Sequence, residues 1–493
     1  MNPLKKLASQ TAVYGASHII GRFINYLLVP LHTATFATAE YGINNLMYSY
    51  VTFFNVLLTY GMETAFFRYA QKHDKPDEVY STGLSSLIGS SSVFVLLGLL
   101  FASPIAQTIG IGAHPEYVIY FVLIIAFDAV CALPFAYLRQ QNKALKFALV
   151  KNLSIFINIL LNLYFLLVCP YVFNKHQIQL PLYTGKMDVG YIFLANLIAS
   201  VITIPLLLSE FLAITKARFN KTLWRQLMVY GLPLMVVGFA GMINEALDRI
   251  ILSYMYTDAQ KGLEATGIYG ANYKLAILMT LFIQAFRYAA EPFFFNHAKT
   301  SDKRDIYGHV MNYFVLVCLG LFLVVTLYID VFKHFIDSRY WEGLKVVPVL
   351  LMANLFLGVY YNLSVWYKLS DKTNVGAVIS LIGAGITIAA NFALIPILGY
   401  EGSAWATLIC YFSMVVISYF LGNKYYPIPY QVKQLSAYIS LALLLFFTQQ
   451  LLIKKLLTDS VFHHVSAALF ILLFAGIAFL AERKQLSQLF SRG

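Results

Sequence analysis

What most limits the folds open to this sequence is a repetition. Apolar runs of eighteen or more residues recur from one end to the other. Each is long enough to cross a hydrocarbon core about 30 Å thick. Lipid offers the backbone no hydrogen-bond partners, so such segments satisfy their own amides and carbonyls as helices. Fourteen of them can be counted, at roughly 8–34, 40–68, 81–109, 115–138, 147–173, 188–214, 224–256, 265–296, 306–332, 344–367, 374–397, 400–422, 432–453 and 460–481. Of 493 residues 59% are hydrophobic and 12% charged, about half the charged share of a soluble domain. The expectation is an all-α polytopic membrane protein.

The first segment starts with Lys5 and Lys6 like a signal peptide. It runs on too long, and is too polar at His18 and Arg22, for a cleaved leader, so it reads as a retained first helix. Cys131, Cys169, Cys318 and Cys410 fall inside helical segments at spacings that suit neither zinc nor a disulfide framework. They read as small core residues, and no metal site is expected.

Basic residues orient the chain. With both termini cytoplasmic, the inside segments hold 23 lysines and arginines and the outside segments 8, as the positive-inside rule requires. Arg22, Arg249, Lys274 and Arg287 remain within the membrane. The net charge of +12 therefore reflects topology, and no nucleic-acid partner is expected.

A short echo divides the chain. Val13-Tyr14-Gly15 and Tyr41-Gly42 open the first two segments, and Val229-Tyr230-Gly231 and Tyr269-Gly270 open the seventh and eighth. Six segments separate the copies, which makes a parallel repeat about an axis along the membrane normal. The domains expected are a six-helix lobe over 1–215, a second over 216–425 and a C-terminal helix pair over 426–493.

Polar residues form stripes at helical spacing. His18, Arg22 and Asn25 mark the first segment, and Asn45, Tyr48, Thr52, Asn55, Thr59 and Glu63 the second. Glu245 and Asp248 share a face of the seventh, and Tyr273, Thr280, Gln284, Arg287 and Glu291 follow one another along the eighth. Such a stripe faces another helix or a wet cavity, since lipid cannot satisfy it. Asn, Thr and Gln serve as glue between helices as readily as they line a path. Charges in a membrane mark transport routes or proton relays, although Arg287 and Glu291 are close enough on one helix to pair locally. The expected site is a central aqueous cavity between the lobes. Arg22, Lys274 and Arg287 would hold an anion there, with Asn55, Tyr48, Tyr273 and Gln284 beside them. Glu245, Asp248, Glu291 and Glu63 would exchange a coupling ion, a proton or sodium.

Five stretches carry a family resemblance: VYGASHIIGRFINYLLVPLHTATFATAEYG, GMETAFFRYA, PFAYLRQQNKALKF, GIYGANYKLAILMTLFIQAFRYAAEPFFF and LIPILGYEGSAWAT. In this order the sequence resembles the polysaccharide transporters of the multidrug/oligosaccharidyl-lipid/polysaccharide exporter superfamily, which include flippases of O-antigen and capsule repeat units. The resemblance implies two six-helix lobes in a V, alternating access, and a bacterial inner membrane. It implies as cargo an oligosaccharide on an undecaprenyl pyrophosphate carrier, with membrane lipids and a polysaccharide polymerase or ligase as partners. The related lipid II flippases keep a cavity arginine in helix 1, which Arg22 matches by position, and a tail groove at their last two helices. They also carry an arginine within helix 2, where this chain has none before Arg68.

The cargo chemistry suits the residues: arginine and lysine for phosphates, aromatic faces for sugars, with Tyr48, Tyr60, Tyr273, Tyr360, Tyr361 and Tyr367 in or near polar segments. A cation-coupled multidrug exporter of the same superfamily is the alternative, along with a lipid II flippase. Four intramembrane cations favour an anionic cargo over a drug. An enzyme is not expected, since the chain lacks a Walker A pattern, a paired metal-ligand histidine motif, a G-x-G-x-x-G and a large extramembrane loop.

Overall fold

A computed structural model describes residues 19–297, 304–370, 372–453 and 460–490, and among them there are helices and no strands. The helices used below are α1 (Val29–Thr35), α2 (Thr38–Thr59), α3 (Met62–Lys72), α4 (Pro76–Leu100), α5 (Ala102–Thr108) and α6 (Pro115–Gln140). They continue with α7 (Ala144–Leu163), α8 (Gly190–Leu206), α9 (Lys221–Tyr254), α10 (Ala259–Leu275), α11 (Ile277–His297) and α12 (Arg304–Leu327). The rest are α13 (Val347–Leu363), α14 (Thr373–Leu398), α15 (Tyr400–Tyr425), α16 (Val432–Thr448) and α17 (Ser460–Phe490).

Local chemistry sets several of the starts. Pro76 and Pro115 sit at the first helical positions, where the missing amide costs nothing. The Asn220 side chain caps α9 by accepting from Leu223 N at 3.1 Å. Ahead of α2, the Glu40 carboxylate accepts from Ala37 N at 2.9 Å.

Among the described residues, ten helices are long and apolar enough to cross a membrane. An eleventh is counted if Gly190–Leu206 and Leu208–Thr215, bent by 57°, form one span. The sequence count was fourteen, and the other three segments differ for identifiable reasons. The first lies partly in residues 1–18, outside the described residues. The second is broken: Tyr60 and Gly61 take φ of 34° and 71° in succession, and two left-handed residues cannot continue a right-handed helix. The eighth is interrupted at Ala276, between α10 and α11. The exposed surface is equally telling, since Leu100, Leu145, Val229, Ile397 and Leu472 are each more than 60% exposed. Apolar side chains in such numbers face lipid. The protein is a multi-pass membrane protein.

The chain divides into two compact units, residues 1–270 with 391–400, and residues 271–390 with 401–493. In the first, two of the echoed glycines, Gly42 and Gly231, prove to be contact points. A Cβ on Gly42 of α2 would fall 1.9 Å from the Leu263 carbonyl of α10, and one on Gly267 would fall 1.9 Å from that of Thr38. Gly61 at the break in the second segment meets Gly231 of α9 in the same way, each Cβ position 2.6 Å from the other strip's carbonyl oxygen. These backbones approach too closely for any side chain, the packing by which membrane helices gain dispersion contacts without a hydrophobic driving force. Beside them Tyr80 and Tyr137 stack with centroids 4.1 Å apart, and the Tyr80 hydroxyl donates to Glu210 O at 2.8 Å.

In the second unit the last two helices are tied at both ends. The buried Glu482 of α17 accepts from Tyr438 Oη at 2.9 Å and Gln434 Nε2 at 2.8 Å, both on α16. At the other end the buried Gln449 donates to His463 O at 3.1 Å and accepts from Ser466 Oγ at 3.1 Å.

Candidate functional site

A polar cavity in the first unit is built on α6. From Phe121 to its end this helix reads FVLIIAFDAVCALPFAYLRQ, an apolar span interrupted by Asp128 and closed by Arg139. The cavity has a volume of ≈ 400 Å³ and is lined by Asn55, Thr59, Glu63, Asp128, Arg139 and Lys151 among others. Asp128 is exposed into it and accepts a hydrogen bond from Ser200 Oγ of α8 at 3.2 Å. Thr203 Oγ1 donates to Ser154 Oγ at 3.1 Å, bridging α8 and α7 beside it. Lys151 stands two turns inside α7 with its ammonium 4.7 Å from the centre of the Phe135 ring. Asn55 Oδ1 is buried without a protein partner among the described residues.

Toward the end of α6, Glu63 and Arg139 form an ion pair. The Arg139 guanidinium also lies over the Phe67 ring at 5.1 Å and the Phe147 ring at 5.8 Å. Asp128 lies eleven residues before Arg139, about 16 Å along the helix. The result is a column of polar side chains running from a helix end into the membrane-crossing part of the unit. A carboxylate and an ammonium sharing such a cavity can trade a proton or a cation for their mutual attraction.

The structure separates Glu245 from Asp248. Asp248 is buried and accepts from Tyr269 Oη at 2.7 Å and from Arg249 N at 2.8 Å, with Arg249 Nη1 3.6 Å away. Glu245 is exposed, and its carbonyl accepts from Arg249 Nη1 at 3.0 Å. The shared face expected from the spacing is therefore not a shared environment, because three residues turn the helix about 60° short of a full repeat. Asp248 is satisfied by its neighbours. Arg22 is exposed on helical residues 19–26. Tyr48 sits in an aromatic cluster, 5.3 Å from the Phe121 ring, with its hydroxyl accepting from Asn196 Nδ2 at 2.8 Å. Tyr60 pairs with Ser86 at 2.7 Å.

In the second unit, Arg287 stacks its guanidinium 4.1 Å over the Tyr361 ring. Both line a pocket with Asn362 and Lys368, where α11 meets α13 and the turn after it. Tyr273, Lys274 and Gln284 are half-buried and are not among the lining residues of that pocket. Tyr360 and Tyr367 are buried, with hydroxyls 3.4 Å apart. The Glu291 side chain lies outside the described residues.

Two charged residues were passed over in the sequence. Asp128 is a single carboxylate in the middle of a run of apolar residues, the same signal that drew attention to Asp248. Lys151 was counted with a cytoplasmic connection, although the α7 register carries it inward. His114, Glu116 and Asp188 also gather, with ligand atoms within 4.8 Å of one another. Asp188 already accepts from Gly190 N at 2.6 Å and from the Tyr117 hydroxyl. The group sits at the starts of α6 and α8, where the helix dipoles disfavour a cation.

The comparisons with known proteins agree with this architecture. Residues 7–297 match the family model described as polysaccharide biosynthesis protein. An uncharacterised membrane protein of Methanocaldococcus jannaschii is 25% identical, over 84% of this chain and 84% of its own length. The Lsg locus putative protein 1 of Haemophilus influenzae is 22% identical, over 85% and 98%. Among solved structures, the lipid II flippase MurJ in an inward closed conformation superposes with a TM-score of 0.69 at 16% identity, over 96% of this chain and 99% of that one. An inward-facing multidrug resistance transporter of the MATE family and MOP superfamily gives 0.64 at 13% identity, over 87% and 95%. At these identities the likeness speaks for the fold, whereas the family model covers more than half of the sequence. The chain belongs to the polysaccharide biosynthesis protein family.

Proposed function

We propose that the protein is a flippase that moves a polyprenyl-pyrophosphate-linked oligosaccharide, on undecaprenol in a bacterial inner membrane, from the inner to the outer leaflet for cell-surface polysaccharide synthesis. The observation that carries the reading is the Arg287–Tyr361–Asn362–Lys368 pocket within a member of this family. It gathers two cations, an aromatic face and an amide around a space of ≈ 20 Å³, which must widen to admit a phosphate. Arginine presents a planar fork to phosphate oxygens, lysine adds a second charge, and the ring and amide suit sugar faces and hydroxyls. Coupling falls to Asp128, which lines one polar cavity with Lys151 and exchanges a proton or sodium ion as the transporter alternates. Asp248 supports the helices around it. In this reading both termini lie in the cytoplasm, which the distribution of lysine and arginine supports.

The test is reconstitution of the full chain in liposomes with a fluorescent lipid-linked oligosaccharide, reading how much becomes accessible to a reagent outside. The parent should move it, and Arg287→Gln with Lys368→Gln should not, while remaining folded. Movement at the parent rate by the double variant would refute the cargo pocket. Deletion in the native host without accumulation of a lipid-linked oligosaccharide would refute the function.

A further inference from the structure

The first unit carries, apart from its charged column, a second and chemically different pair of cavities. The larger, ≈ 540 Å³, lies among α2, α4, α5 and α6 and is walled by Tyr50, Phe54, Phe94, Leu97, Phe101 and Phe121 among others. Phe54, Leu97 and Phe101 are 36%, 49% and 53% exposed at its mouth. The smaller, ≈ 240 Å³, is walled chiefly by Gln107, Ser253, Tyr254, Tyr256 and Thr257. Thr108 and Ile109 line both, so the two adjoin. Tyr50 from the first and Tyr254 from the second join hydroxyls at 2.9 Å, which marks where the apolar wall gives way to the polar one.

Among the described residues, none of those lining either cavity is charged. The larger volume is of the size that ligand sites have, and the pair joins an apolar body to a few placed polar groups. An apolar cavity with an apolar mouth, in a surface bathed by lipid chains, accepts a chain. The adjoining pocket offers hydroxyls and an amide, which donate and accept in both directions, but no countercharge. A phosphate drawn into it would lose water without gaining a partner. Glycerol or sugar hydroxyls would instead meet complementary groups.

We propose that the two cavities form one site for a membrane lipid with an apolar chain and an uncharged, hydroxyl-rich head, separate from the pyrophosphate-bearing cargo. This goes beyond the transport reading and stands or falls apart from it. The full chain in nanodiscs would be offered two lipids with the same oleoyl chains, monogalactosyl dioleoylglycerol and dioleoyl phosphatidylglycerol, and retention read by native mass spectrometry. The galactolipid should be retained with a preference of about tenfold, equivalent to ~1.4 kcal/mol. Leu97→Trp, which fills the mouth, should lose both lipids. Tyr254→Phe with Gln107→Leu, both at exposed positions, should keep chain retention and bring the preference close to one. Unfolding midpoints within a few degrees of the parent show that each variant is folded. Equal retention by the parent, a preference for phosphatidylglycerol, or a preference untouched by the Tyr254 and Gln107 changes would each overturn the site.

Discussion

If Asp248 holds helices together, its partner Tyr269 should be coupled to it in stability. The Tyr269 ring is fully buried, and its hydroxyl donates to the buried Asp248 carboxylate at 2.7 Å. Tyr269→Phe removes that hydroxyl and leaves the packing, so no cavity term enters. A hydrogen bond to a charged acceptor is worth about 1.5–3 kcal/mol, and the variant should lose that amount. Asp248→Asn removes the charge that both Tyr269 and Arg249 meet and should cost a similar amount. In the double variant the bond is already gone, so the two losses should not add, leaving an interaction energy of ~1 kcal/mol or more. The assay is equilibrium unfolding of the four proteins in mixed micelles under one set of conditions, with transport per folded molecule measured alongside. Additivity to within about 0.5 kcal/mol would refute the contact. Normal stability with lost transport in Asp248→Asn would return the residue to the coupling machinery.

Gly42→Ala should fail to accumulate as folded protein, because its methyl would lie 1.9 Å from a backbone carbonyl. Gly241→Ala, whose Cβ meets nothing within 4 Å, should match the parent, and both are read by size-exclusion profile and unfolding midpoint. Asp128→Asn and Lys151→Gln should each lower ion-driven transport by about an order of magnitude or more, a barrier change of ~1.4 kcal/mol, with the midpoint unchanged. Parent-level transport and ion dependence in both would remove the pair from coupling. Glu482→Ala leaves the Tyr438 hydroxyl without its acceptor and should cost about 1–3 kcal/mol in the same unfolding assay.

The fold was readable because lipid makes the code coarse. Length and apolarity alone announced the helices, and ten of the segments stand as spans among the described residues. The breaks were less legible. Nothing in the run LLTYGMETA distinguishes a helix that passes through Gly61 from one that turns there, and the Gly231 backbone that meets the turn lies on a distant part of the chain. The Tyr-Gly echo was visible, but that its Gly42 and Gly231 each press against another stretch of backbone was not. Charge was easy to find and hard to place. Periodicity assigned Asp248 and Glu245 to one stripe, while the partners that separate them, Tyr269 above all, come from another helix. Asp128 had no stripe of its own, and its setting is made by Ser200 and Lys151 from two neighbouring helices.

The ties at both ends of α16 and α17 have a mechanical consequence. Two antiparallel helices joined at one end only can open like scissors about that end. With Glu482 holding Tyr438 and Gln434 at one end and Gln449 holding Ser466 at the other, that freedom is removed. The pair is held to move as one unit, so that displacing either helix displaces the other.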